Sequence, residues 1–139
     1  MLCRTAMINI DTTSGTDILD LTEHVMAIVS ESGIADGLLV VFTPGSTAGV
    51  TTIEYESGAV EDLRSALECI APVDGDYEHN LRWGDGNGYS HVRGALVGPS
   101  LTVPVVAGRP DLGTWQQVIL CDFDNRPRSR KVRIQIVGD

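Results

Sequence analysis

Hydrophobic positions change their period several times along this chain, and each change marks an element. Residues 2–10 alternate apolar and polar and read as a strand, ended by the turn-prone Asp11-Thr12-Thr13-Ser14-Gly15. Thr16 or Asp17 can cap a helix on which Ile18, Leu21, Val25, Ile28 and Val29 share a face, with Ser32-Gly33 as its stop. Residues 37–43 form a continuous apolar run, suited to a strand buried on both faces, and Pro44-Gly45 breaks it. Residues 46–55 are rich in threonine and β-branched side chains and predict another strand. A second helix opens at Ser57 or Gly58, turns Val60, Leu63, Leu67 and Ile70 inward and closes at Pro72. Residues 73–86 read as a long irregular loop. A short helical pattern follows from Asn87. Strands are then expected over 100–106, 114–123 and 131–137. This order predicts an α+β domain of mixed or antiparallel sheets packed with two longer helices and one short one, all within residues 1–139.

The short helix carries the first candidate chemistry. Asn87 and His91 are one turn apart and point the same way. Tyr89, Val92 and Leu96 lie on another side. The Asn87–His91 face also carries Gly94, Ala95 and Gly98, a wall that a ligand or a second subunit can approach closely. His79, in the preceding loop, is the second candidate imidazole. Together His79 and His91 suit either a zinc site or proton transfer without a metal. Glu54 and Asp62 flank the turn between a strand and a helix, either as site carboxylates or as ordinary surface charge. Arg126, Arg128 and Arg130 alternate, so an extended backbone would set their guanidinium groups on one side. Such an array suits a phosphate, and a solvated charged turn fits the spacing equally well.

Charge and composition narrow the field. A formal net charge of −9 argues against a general nucleic-acid binder or a partner of anionic membranes. The three cysteines, Cys3, Cys69 and Cys121, are far apart and read as buried inert thiols rather than a knuckle or a disulfide framework. The start lacks a signal-peptide core and no run approaches a membrane span, so a cytoplasmic protein is expected. There is no GxSxG, no Walker A pattern and no dinucleotide fingerprint.

Several motifs, taken in order, resemble the YjbQ-like proteins, a family described as secondary thiamine-phosphate synthase enzymes. They are Phe-Thr-Pro-Gly-Ser-Thr-Ala-Gly-Val-Thr-Thr-Ile-Glu-Tyr-Glu at 42–56 and Val-Glu-Asp-Leu at Asp62. Tyr-Glu-His at His79, Asn-Gly-Tyr-Ser-His-Val at 87–92 and Gly-Pro-Ser at 98–100 follow. Leu-Gly-Thr-Trp-Gln-Gln at 112–117 and an Asp-Phe-Asp…Arg-Ser-Arg tail complete the set. The resemblance implies a homotrimer with a polar pocket near the subunit contact. It also implies a secondary ability to join thiazole phosphate and hydroxymethylpyrimidine pyrophosphate. By position the pocket would hold Glu54, Asp62, His79, Asn87, His91, Gln116 and the arginines at 128 and 130, with a divalent metal such as zinc on the histidines in some members. Two departures stand out. Many members have His-Thr-Ser-Ala or His-Thr-Thr-Ala where this chain has Gly45-Ser46-Thr47-Ala48, so one pocket histidine is missing. The tail is also one residue longer than the common form, so that Arg126 and Arg128 compete for one family position. The alternative to an enzyme is a non-catalytic trimer that binds a small anion or a metal. A third reading makes the polar residues a subunit-contact network.

Overall fold

The computed structural model describes residues Met1–Asp139. The elements are β1 (Leu2–Asp11), β2 (Asp17–Asp20), α1 (Thr22–Ser32), β3 (Gly37–Phe42), β4 (Ala48–Ile53) and α2 (Ser57–Ile70). They continue with α3 (Glu78–Trp83), α4 (Gly88–Val97), β5 (Ser100–Val106), β6 (Arg109–Pro110), β7 (Gln117–Asp122) and β8 (Ser129–Gly138). A five-stranded sheet runs β1-β8-β3-β5-β6 and a three-stranded sheet β2-β7-β4. Every pairing is antiparallel, which settles the choice between mixed and antiparallel sheets.

The layers follow from strand alternation. Leu39 and Val41 of β3, Val103 and Val105 of β5, and Val132, Ile134 and Ile136 of β8 face one way. They meet Ala48, Val50, Val118 and Leu120 of the smaller sheet, with Leu21, Val25 and Val29 at α1. The other face of the smaller sheet carries Ile18, Ile119 and Cys121, which with Phe123 pack beneath Leu67 of α2. Burial there pushes the Cys121 thiol up to about 12. Cys3 and Cys69 are exposed, so only one of the three thiols is inert by burial.

Several expectations are corrected. Residues 17–20 are a strand on β7, not the first turn of a helix. No side chain caps α1, whose N-cap residue is Leu21; Asp20 braces the approach, its Oδ1 accepting from the Thr22 N–H at 2.9 Å and from its hydroxyl at 2.6 Å as in an Asx turn. Asp17 is occupied by Thr13, whose backbone N–H it accepts at 2.5 Å. Residues 78–83 form a helix where a loop was expected. Residues 114–116 lie before β7 rather than in it. Ile70 does not face inward and is 66% exposed. The β3 run is not buried on both faces: Leu38 and Phe42 are 53% and 38% exposed on the outer side of the large sheet.

One buried group has no partner. Thr43 is fully buried, and its Oγ1 makes no hydrogen bond. Thr43→Val replaces that hydroxyl with a methyl of the same shape. Removing an unsatisfied polar group is expected to stabilise by about 1 kcal/mol, read as a raised urea midpoint.

Candidate functional site

The sequence folds back sharply between α3 and α4. Gly84 and Gly86 both take φ +67, a conformation natural to glycine, on either side of Asp85. The reversal lays α4 against α3 and brings the rings of His79 and His91 to 4.3 Å between centroids. His79 Nε2 lies 3.2 Å from Asp85 Oδ2. Asn87, which precedes α4, is buried. With its amide nitrogen turned to its acceptors, it reaches both Asp85 oxygens and His79 Nε2, each at 3.1 Å. The same imidazole nitrogen therefore has a donor for its neutral form and an acceptor for its protonated form. Loss of water would raise the Asp85 carboxyl. The hydrogen bonds from His79 and the Asn87 backbone outweigh that and hold it below the ordinary carboxylate range.

Two clefts flank this centre. One, of about 310 Å³, is lined by Asp85, Asn87, Asn125 and Arg126, and Asn125 Nδ2 pins it by donating to the Asp85 carbonyl at 2.9 Å. The other, of about 290 Å³, lies beside His91 and is lined mostly by small residues, among them Gly45, Ser46, Gly94 and Ala95. Gly45, the position where the family resemblance leads one to expect a histidine, opens onto that second cleft.

The arginine turn is divided in its roles. Arg130 donates to Asp122 from Nε at 2.6 Å and from Nη2 at 2.7 Å, and Nη2 also reaches Thr47 Oγ1 at 2.8 Å. Arg128 donates from Nε to Asp124 Oδ2 at 2.9 Å. Asp122 and Asp124 are almost wholly buried. The polar contacts of Arg128 and Arg130 are thus spent on buried acids, and only Arg126 is exposed on the cleft. Burial would raise the Asp124 carboxyl, but hydrogen bonds from Arg128 and Thr47 hold it below its ordinary value. A lowered folded-state value adds stability above the ordinary carboxylate range. That stability is lost as pH falls through the folded value. Thermal midpoints should therefore be level near neutrality and drop below roughly pH 4, and Asp124→Asn should flatten that acid limb.

The other expected site residues lie elsewhere in the protomer. Glu54 is exposed just past β4, Asp62 is exposed on α2, and Gln116 is exposed with its Nε2 donating to Thr52 Oγ1 at 3.1 Å. The start of β4 lies beneath α4, where a Cβ at Gly94 would lie 3.3 Å from the Ala48 backbone. Glu54 follows at the far end of the strand, about 20 Å along at roughly 3.3 Å per residue. One chain therefore gathers His79, His91, Asn87 and Arg126, leaves Glu54 and Gln116 at the opposite end of the smaller sheet, and carries Asp62 on the outer side of α2. Asp85 and Asn125 belong to the histidine centre although no motif singled them out. The paired glycines around Asp85 were the one available signal.

A protein zinc site takes three or four ligands. The two imidazoles of one chain find no third: no group of three His, Cys, Asp or Glu side chains converges as a metal cage requires. The donor set of one protomer therefore does not fit a closed metal site.

Comparison with known proteins agrees with this architecture. A UPF0047 protein of Methanothermobacter thermautotrophicus is 41% identical over 122 residues, covering 88% of this chain and 83% of its own. A UPF0047 protein of Mycobacterium tuberculosis is 41% identical over 131 residues, covering 94% and 98%. The crystal structure of a hypothetical protein from Aeropyrum pernix superposes with a TM-score of 0.91 at 33% identity, covering 98% of this chain and 99% of that one. A YbjQ-like protein of unknown function from Sulfolobus solfataricus gives 0.89 at 27%, covering 99% and 100%. The model of the family described as UPF0047 protein YjbQ-like matches residues 6–139, and the chain belongs to that family.

Proposed function

We propose that this protein is an enzyme acting on small phosphorylated molecules, with His79 and His91 as its acid–base centre and Arg126 as its phosphate contact. The observation that carries the reading is the position of His79 Nε2 between the Asn87 amide and the Asp85 carboxylate, which provides for both of its protonation states. The specific reaction, taken from the family resemblance, joins thiazole phosphate to hydroxymethylpyrimidine pyrophosphate. The thiazole nitrogen would form a bond to the exocyclic methylene carbon. The carbon–oxygen bond to pyrophosphate would break, and pyrophosphate would leave with the electron pair. Protonated His79 can give its proton to the departing oxygen and regain one from water. Arg126 offsets the charge that builds there.

The residues left outside this centre enter through assembly. In a homotrimer, Glu54, Asp62 and Gln116 of one copy complete the histidine centre of the next. Any metal on the imidazoles would likewise need a ligand from a second chain, and elemental analysis of the purified protein tests that directly.

The activity test compares wild type with His79→Ala and His91→Ala in the presence of both substrates. Product above background from wild type and background from both variants is expected. Equal background from all three ends the proposal, and stabilisation by a phosphorylated metabolite without turnover would favour the non-catalytic binder. Arg126→Ala should raise KM more than it lowers kcat. Mixing Glu54→Gln with His91→Ala chains should restore part of the activity, because some sites then receive both intact halves.

A further inference from the structure

The loop between β3 and β4 holds several hydrogen-bond donors that have no acceptor in the chain. The backbone N–H groups of Gly45, Ser46 and Thr47 all lack one. Thr47 is only 6% exposed, and N–H groups in such surroundings are nearly always paired. Three in succession make a concave run of donors of the kind that receives an anion.

Arg130 adds a further donor beside them. The residue is 8% exposed, with Nε and Nη2 fixed on Asp122 and Thr47. Its Nη1 makes no hydrogen bond within the chain. Thr43 Oγ1 is the single enclosed side-chain atom without a partner, so Nη1 must reach the surface. It does so at Gly45, where a Cβ would lie 3.1 Å from it. Gly45 takes φ +126, which a larger residue adopts only under strain. Backbone and space together keep position 45 bare and this guanidinium edge uncovered.

Gly45 and Ser46 also line the 290 Å³ cleft that carries His91, Gly94 and Ala95 on its α4 side. No carboxylate lines that cleft, although the chain has a net charge of −9. Donors gathered where acids are excluded favour a negative ligand. A row of N–H groups with one guanidinium edge suits the three oxygens of a phosphoryl group better than the two of a carboxylate.

We infer that the Gly45–Thr47 loop and Arg130 Nη1 form a second phosphoryl-binding subsite, on the His91 side of the imidazole pair. The inference rests on the enzyme reading above and deepens it. Arg126 holds one phosphoryl group from the Asp85 side, and this loop holds another from the His91 side. The substrates it fits therefore carry phosphoryl groups on both sides of the reacting atoms. The lock on Asp122 sets the direction of Nη1 in advance, so little ordering is left for the moment of binding.

Arginine side-chain NMR of nitrogen-labelled protein reads the subsite directly, with inorganic phosphate as the probe. At constant ionic strength, phosphate should move the Arg130 Nη1 signal and the Ser46 and Thr47 amides saturably, and acetate should not. Ala95→Glu puts a like charge at an exposed position on the α4 side. It should weaken phosphate about tenfold or more while leaving circular dichroism unchanged. Arg126→Ala should leave the Nη1 response intact. With both substrates present, the two variants should each raise KM about tenfold, the loss of roughly one charged hydrogen bond, and for different substrates. A phosphate response that is absent, that acetate reproduces, or that survives Ala95→Glu undiminished overturns the inference. Turnover and its loss in the histidine variants then still decide the enzyme reading. A saturable Nη1 response in a protein without turnover keeps the subsite and ends the enzyme reading instead.

Discussion

Asp122→Ala will destabilise the fold by about 3–5 kcal/mol, the usual cost of leaving one member of a buried ion pair alone. The carboxylate is 1% exposed and accepts from four donors: Arg130 Nε, Arg130 Nη2, the Thr12 hydroxyl at 2.7 Å and the Asp124 backbone N–H at 3.0 Å. Without it, the nearest other acid to Arg130 is Asp124, 3.9 Å away and already engaged by Arg128. Asp122→Asn keeps the shape and part of the hydrogen bonding, so its loss should be smaller. Urea unfolding of the three proteins checks the order. A midpoint for the alanine variant within error of wild type would mean that the cluster contributes nothing net. The pair lies under the arginine turn, so Arg126 and its cleft should lose order in the same variant.

The second large effect is expected from a single methyl group. Gly49 lies in β4 directly beneath the end of α4, and a Cβ there would sit 2.7 Å from both the Gly98 carbonyl and Val97 Cγ1. Its backbone is ordinary for a strand, so the cost is purely one of space. The Gly98 carbonyl is also fixed, because it accepts from Val50 N–H at 2.9 Å. Gly49→Ala must therefore push α4 off the sheet or break that bond. Roughly 3 kcal/mol of stability should be lost, at the upper end for overpacking. Because α4 carries His91, the variant should also lose the tilted His79–His91 ring contact, visible as a change in the imidazole resonances by NMR. Unchanged melting and unchanged imidazole signals would show that the helix has slack there.

Much of this was legible in the sequence, and what was not had physical causes. The apolar alternation of β1, β5 and β8 marked those strands, because burial on one face sets the period; the continuous run of β3 marked a strand but pointed to burial on both faces, against its exposed Leu38 and Phe42. The cap expected at Thr16 or Asp17 fails because residues 17–20 pair as a strand with β7, far along the chain, and no local signal reveals that partner. The α3 helix has no fully buried side chain, so no apolar stripe announced it. Asn87 and His91 were recognisable one turn apart. Their partner Asp85 was not, since its importance comes from the backbone reversal rather than from its own type. The alternation of Arg126, Arg128 and Arg130 suggested one shared face. The acids that capture two of them, Asp122 and Asp124, show the same alternation in sequence.

The thiol under α2 gives the protein an internal clock. Cys121 is packed and its proton is held, so an alkylating reagent reaches it only when the helix lifts from the smaller sheet. Cys3 and Cys69 label at once and calibrate the reagent. The slow third modification then times how often that outer layer departs while the rest of the molecule stays folded.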